Sequence, residues 1–508
     1  EIGSGLVGSE MCIRDRLRMN LKIICISIGI LATELLAAQD QTTELSLEQV
    51  VKIARLESPD AQTARHSFRS AYWNYKYYRA NYLPTLNLTS DPNLNRAINK
   101  ITMGDGSVKF VEQNLLNTDL TLNLSQNIPW TGGSLFLETS AQRMDLFSEH
   151  KYSWQTSPIM IGYRQSLFGY NSLKWDKRIE PVRYQEAKKS YVETLELVSA
   201  NAINKFFALA TAQSNYDIAS FNYANADTLY RYAQGRYNIG TITENEMLQL
   251  ELNRLTEETN RMNARIEMDN CMQELRSYLG IQEEREIRVR VSSRIPDFSI
   301  NLNEALALAY ENSPDIQTMK RRKLESESAV ARARTNAGLK ADIYLRFGLT
   351  QTADKLPEAY RNLLDQQYVS LSISLPILDW GRGKGQVRVA RSNRDLVYTQ
   401  VEQNRTDFEL NVRKLVKQFN LQTQRVRIAA RTDETAQRRN EVARKLYILG
   451  KSTILDLNAS ISEKDSARRN YVSALYNYWS LYYTLRSMTL YDFESNKLLT
   501  EDYNLLIE

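Results

Sequence analysis

With 508 residues the chain has room for about three average domains. A mean hydropathy of −0.47 and a charged fraction of 25% exclude a bundle of membrane helices. Its 65 basic and 60 acidic residues leave a net charge of +5, too balanced for a dedicated nucleic-acid binder, so no nucleic-acid partner is expected.

Residues 1–18 precede Met19 and read as non-native upstream sequence. From Met19 the chain shows a basic start, the apolar run Leu21 to Ala32, and the small residues Ala37-Ala38. The run is too short to span a bilayer, and the order is that of a secretory signal peptide over 19–38. Of the three cysteines, Cys12 and Cys25 fall in these segments, which leaves Cys271 alone and no disulfide in the mature chain.

Two stretches then begin alike. Leu45 to Phe68 and Ile300 to Leu324 align on Ser58-Pro59-Asp60 and Ser313-Pro314-Asp315, with Leu47 matching Leu302 and Ala54 matching Ala309. This duplication predicts two structural repeats, 39–299 and 300–490, followed by a tail over 491–508. Each repeat reads as a helix, a β segment (84–168 and 341–376), and a long helical hairpin with its tip near 240 or 450.

In the first repeat the alternating segments are Thr85 to Thr89, Asp119 to Gln126, Ser134 to Ser140 and Ile159 to Phe168, with a polar loop around Gly104 and Gly106. In the second they are Ile343 to Thr350 and Val369 to Leu375. Val369, Leu371, Ile373 and Leu375 alternate with Ser370, Ser372 and Ser374, so one face of that strand is apolar and the other carries only hydroxyls. Strands of this dyad suit a membrane barrel, and they also suit a half-buried sheet in a soluble domain. Whether the extra first-repeat hairpin enters a barrel is left open by the pattern.

Between Val182 and Ile295 there is no proline, and after Gly385 none at all and only one glycine, Gly450. A helix from near Lys174 to Asn238 would run roughly 100 Å at 1.5 Å per residue, a length that implies coiled coils or a tube. Heptad spacing of Val412, Phe419 and Val426 fits such packing. Aromatic clusters at Tyr72 to Tyr82 and Tyr476 to Tyr483 read either as core or as a belt near a membrane interface. With only His66 and His150, neither a histidine metal cluster nor a Ser-His-Asp array is plausible. Gly381-Arg382-Gly383-Lys384-Gly385 lacks the full spacing of a phosphate loop. No enzyme activity, cofactor or metal is expected.

The duplication, the strand-Pro-turn-helix of Leu375-Pro376 to Gly385, and the tips Arg236-Tyr237-Asn238-Ile239-Gly240 and Leu446-Tyr447-Ile448-Leu449-Gly450 together resemble the TolC-like outer membrane efflux protein family over nearly the whole mature chain. The resemblance implies a mainly α chain with a membrane β-barrel portion. Three copies, each lending four strands, would close a twelve-stranded barrel that continues into an α-helical periplasmic tunnel. It implies an outer-membrane exit duct with a periplasmic extension, serving tripartite efflux or type I secretion. Such a duct conducts passively from a periplasmic adaptor (membrane fusion) protein and an inner-membrane RND or ABC pump, and its barrel sits in outer-membrane lipid. The competing reading is a periplasmic coiled-coil scaffold without a membrane barrel.

The resemblance also implies site residues. Gly240, Thr243, Gly450 and Thr453 at the tips would dock the adaptor. Asp456, six residues after Gly450, matches a constriction aspartate, and three copies would make an anionic ring. Glu246, six after Gly240, would accept a hydrogen bond from Tyr447. Ala459 and Ser452 stand where the family has a second aspartate and an arginine, so the constriction departs from the family's pattern.

Overall fold

The structure is a computed structural model that describes residues 43–507, apart from 148, 283, 284, 294 and 450. The signal-peptide and upstream segments expected over 1–38 lie outside the described residues. No helix among the described residues is long and apolar enough to cross a membrane.

Strand β1 (Thr43–Ser46) leads into helices α1 (Leu47–Glu57) and α2 (Pro59–Ala80). Ser46 caps α1 through a capping box with Gln49, which satisfies two backbone N–H groups that the first turn leaves free. Strands β2 (Thr85–Ser90), β3 (Asn93–Thr102), β4 (Val108–Ile128), β5 (Gly133–Leu146) and β6 (Lys151–Ser166) follow. Helices α3 (Ser172–Asn238) and α4 (Glu244–Leu279) form the first long hairpin, and β7 (Ile287–Arg290) pairs in parallel with β1.

The second half runs α5 (Leu302–Asn312), α6 (Pro314–Asn336), β8 (Lys340–Ala353), β9 (Leu364–Ser374), α7 (Arg382–Ile448) and α8 (Ile454–Thr489). The short strands β10 (Tyr491–Asp492) and β11 (Lys497–Leu498) end it. Lengths recur between the halves: 11 residues in α1 and α5, 67 in α3 and α7, 36 in α4 and α8. The buried residues recur too. Val50, Val51 and Ala54 of α1 stand where Ala305, Leu306 and Ala309 stand in α5.

The chain divides into two compact units. One comprises the chain up to Ser58 with Ala202–Ile295 and Ala429–Tyr476, and holds both helix-to-helix tips. The other comprises Pro59–Asn201, Pro296–Ile428 and Asn477 onward, and holds the large sheet.

That sheet has seven strands in the order β2-β4-β5-β6-β8-β9, with β3 also on β4. β2 pairs Thr85–Ser90 with Leu120–Ser125, and β3 pairs Asn93–Thr102 with Val108–Asn117, so the two lie end to end along one edge of β4. They share a single lane, and the sheet is six lanes wide. The sheet of one chain is thus two lanes wider than the four strands that the resemblance implies for the barrel, the extra width being the additional first-repeat hairpin. The polar loop expected after the first strand is corrected. Asn93–Thr102 is a strand, and the turn is confined to Met103–Ser107, where the Ser107 carbonyl accepts from Met103 N–H at 2.8 Å and Gly106 has φ +81°.

The core of the sheet-bearing unit settles how the aromatic clusters divide. Tyr478 and Tyr482 are buried against Phe419, with ring centroids 5.2 and 5.8 Å away, and the Tyr478 hydroxyl donates to Pro296 O at 2.9 Å. Beside them the buried Glu196 of α3 pairs with Arg486 of α8 at 2.8 Å. In the first cluster Tyr75 stacks on Tyr184 at 4.4 Å, while Trp73 and Tyr77 stay exposed.

Candidate functional site

Both tips share one closing backbone bond, from the residue after the tip glycine to the carbonyl five residues back. At the first, Gly240 takes φ +76°, its N–H donates to Tyr237 O, and Thr241 N–H reaches back to Arg236 O, each at 2.9 Å. Nothing lies within 4 Å of where a Cβ would sit on Gly240, so the left-handed backbone and not crowding selects glycine there. At the second, Lys451 N–H donates to Leu446 O at 2.9 Å, the same closure. Gly450 lies outside the described residues, as does the side chain of Tyr447, so the Tyr447–Glu246 contact falls there too.

The next helix at each tip starts with a reciprocal cap. Thr243 Oγ1 accepts from Glu246 N–H at 3.3 Å while Glu246 Oε2 accepts from Thr243 N–H at 3.1 Å. Thr453 Oγ1 accepts from Asp456 N–H at 3.1 Å, and Asp456 Oδ2 accepts from Thr453 N–H at 3.3 Å, from the Thr453 hydroxyl at 2.7 Å and from Ser452 Oγ at 3.3 Å. Thr243 and Thr453, like Glu246 and Asp456, stand 210 residues apart. The first task of both acidic residues is therefore helix capping. The Thr453 hydroxyl, and after it the Thr453 N–H, holds the Asp456 carboxyl below its ordinary value.

All four acidic and threonine cap residues are exposed. So are three large apolar side chains beside them, Ile239, Leu449 and Leu455, which the sequence reading passed over. A run of apolar residues next to a helix end reads as packing in the sequence, and only the solvent exposure distinguishes it.

The sheet forms the second candidate site. Directly paired residues share a face, and one row reads Leu86–Leu124–Leu137–Ile161–Phe347 across five lanes, with Val369 two residues beyond the next partner on β9. These six side chains are 39 to 66% exposed. One step along each strand the row becomes Thr85–Ser125–Phe136–Gly162–Arg346–Tyr368. On that face Phe136 lies over Gly162, and Arg346 pairs with Glu138 at 3.4 Å. Along these rows one face is apolar and bare and the other polar and aromatic, while toward the β3 end the first face carries the ion pairs Arg96–Glu112 and Arg143–Asp145.

Where strands meet helices the chain is tied together by amides. The side chain of Asn171 donates to Pro129 O at 2.9 Å and caps α3 by accepting from Lys174 N–H at 2.9 Å. Gln126 and Asn127 at the end of β4 donate to Tyr82 O and Asn81 O at 3.0 Å each. Trp130 and Trp380, in the turns of this junction, are 84 and 89% exposed. Among the described residues no group of His, Cys, Asp and Glu is arranged to hold a metal ion.

Residues 305–489 match the model of the outer membrane efflux protein family. The structure is similar to the Campylobacter jejuni CmeC outer membrane channel at 16% identity and TM-score 0.65, covering 91% of this chain and 88% of that one. It is similar to the Vibrio cholerae outer membrane protein VceC at 14% identity and TM-score 0.61, covering 87% and 95%. It is also similar to the open state of the Neisseria gonorrhoeae MtrE outer membrane channel at 14% identity and TM-score 0.51, covering 90% of each. Identities this low show the shared fold. No curated protein matches the sequence. The matched family consists of outer-membrane channels with a periplasmic extension, and not of enzymes. The match over 305–489 places that segment with the outer membrane efflux protein family, and the whole chain shares the fold of outer-membrane channels.

Proposed function

We propose that three copies assemble into an exit duct, a β-barrel in the outer membrane that continues into a helical periplasmic tunnel and conducts cargo passively. The observation that carries this reading is the exposed apolar row from Leu86 to Val369, which only lipid would cover on a wall of this kind. One copy cannot close a barrel, and open edges are not tolerated in lipid, so several copies must join. The twelve-stranded closure of the resemblance takes four strands from each copy, whereas the sheet here has six lanes. In the same reading the repeats are 39–299 and 300–490, with 491–508 as a tail.

At the tunnel entrance the exposed Ile239, Leu449 and Leu455 beside Gly240, Thr243 and Thr453 support docking of a periplasmic adaptor, and through it an RND or ABC pump. Three Asp456 carboxylates, each held by the cap it makes with Thr453, would form the anionic ring. The scaffold reading has no use for the apolar sheet face, and we set it aside.

The test is the oligomeric mass of the detergent-extracted chain together with conductance in a planar bilayer. A conducting trimer is expected. A protein that is soluble without detergent and never conducts would overturn the duct. For the ring, Asp456→Ala should lose cation block, and unchanged block would remove Asp456 from the constriction.

A further inference from the structure

We propose that the barrel wall of this protein contains eighteen strands, six from each of three copies, with each free sheet edge paired to a second copy of this chain. The proposal rests on the trimeric reading above and deepens it. Its ground is that all six lanes are hydrogen-bonded in one sheet, with the exposed apolar row from Leu86 to Phe347 crossing five of them and Val369 carrying it onto the sixth.

The β4–β5 hairpin is the decisive element. Fourteen residues of β4, Leu115 to Ile128, pair with Leu146 to Gly133 of β5 without a register shift. Leu124 and Leu137 lie opposite one another in the exposed row, and Leu86 of the outermost lane continues it. The turn between them is short, closed by Gly132 N–H to Ile128 O at 2.8 Å with Gly132 at φ +78°. That turn is anchored at the strand–helix junction through Asn171 and through Gln165, whose side chain donates to Thr131 O at 2.9 Å. Short turns at the periplasmic rim and longer connections at the other end are what membrane barrels build.

Reducing the wall to twelve strands would strip one hairpin from every copy. Lifting β2, β3 and β4 from β5 would undo the fourteen-pair ladder and bare a new edge, and each unpaired backbone group in hydrocarbon costs several kcal/mol. Keeping all six lanes leaves only the outer edge of β2–β3 and that of β9, which have no partner within the chain among the described residues. An even number of antiparallel lanes runs the two edges in opposite directions, so the β9 of one copy meets the β2–β3 lane of the next in antiparallel fashion. Barrel diameter grows about linearly with strand number, so eighteen strands give about 1.5 times the diameter and about twice the cross-section of a twelve-stranded exit.

Electron cryomicroscopy of the full mature chain in lipid nanodiscs tests this. Threefold particles with eighteen strands are expected. Threefold particles with twelve strands would overturn the inference and leave the trimeric duct standing, whereas particles without threefold symmetry would overturn the duct itself. A second readout needs no image. A fluorophore on Leu122→Cys of β4 should be quenched by a lipid-borne nitroxide as strongly as one on Val369→Cys of β9. Quenching confined to the β9 position would place the extra lanes outside the lipid and refute the proposal.

Discussion

Leu371→Arg and Ser372→Arg place the same charge on adjacent residues of β9 and differ only in the face that receives it. Leu371 pairs with Ile343 on the apolar face, and Ser372 pairs with Asp342 on the other. In the single chain Leu371 is 57% exposed, all of it surface that lipid would cover. Burying a whole leucine contributes about 1.5–3 kcal/mol, so its loss alone costs about 1 kcal/mol. An arginine on the lipid face near the midplane raises the total to about 2–4 kcal/mol per copy, or about 6–12 kcal/mol for three copies. On the other face the guanidinium meets water and Asp342, and the expected cost is near zero. A urea titration of the full chain in vesicles, read by the SDS resistance of the oligomer, separates the two. Leu371→Arg should unfold at much lower urea, and Ser372→Arg should track the parent. Equal effects, or a larger one for Ser372→Arg, would refute the assignment of the apolar face to lipid.

Other expectations follow from single contacts. A Cβ on Gly348 would lie 2.4 Å from the carbonyl oxygen of Ile159 on the paired strand, so Gly348→Ala should cost about 2 kcal/mol or more and lower the yield of SDS-resistant oligomer. Gly385→Ala, in open space within α7, serves as the control and should stabilise by about 0.5–1 kcal/mol. Thr243→Ala and Thr453→Ala each remove one half of a tip capping box. They should cost about 1 kcal/mol apiece, seen as faster amide exchange in the first turns of α4 and α8. Burial, with the charge of Asp315 adding to it, pushes the Glu193 carboxyl up to about 7 from 4.5. The folded protein then holds that proton more tightly than the unfolded chain, so stability falls as pH rises from about 4.5 to about 7. Glu193→Gln should therefore gain up to about 3 kcal/mol at pH 8 and nothing at pH 4 in thermal unfolding, and a gain independent of pH would contradict the burial argument.

Much was legible in the chain because it is local. Alternation along Val369–Leu375 marked a two-faced strand, proline-free runs marked the long helices, and glycine with threonine six residues or fewer from the tips marked their reversal and restart. The repeat of Ser-Pro-Asp marked two halves whose helices have matching lengths. Each of these signals is written in side-chain period, backbone permissiveness or capping chemistry, which neighbouring residues decide among themselves.

What the chain alone did not decide is pairing. Asn93–Thr102 carries Arg96, Asn99 and Lys100 and shows no clean apolar period, yet it is a strand because β4 is long enough to offer its backbone a partner. The roles of Glu246 and Asp456 as capping residues needed the positions of the Thr243 and Thr453 N–H groups. Glu196 and Arg486, 290 residues apart, meet only when α3 packs on α8. The width of the sheet is the clearest case. Strand count per copy is a sum of cross-strand hydrogen bonds between distant segments, and no local pattern carries it, so six lanes became visible only once the registers of β4, β5 and β6 were fixed in space.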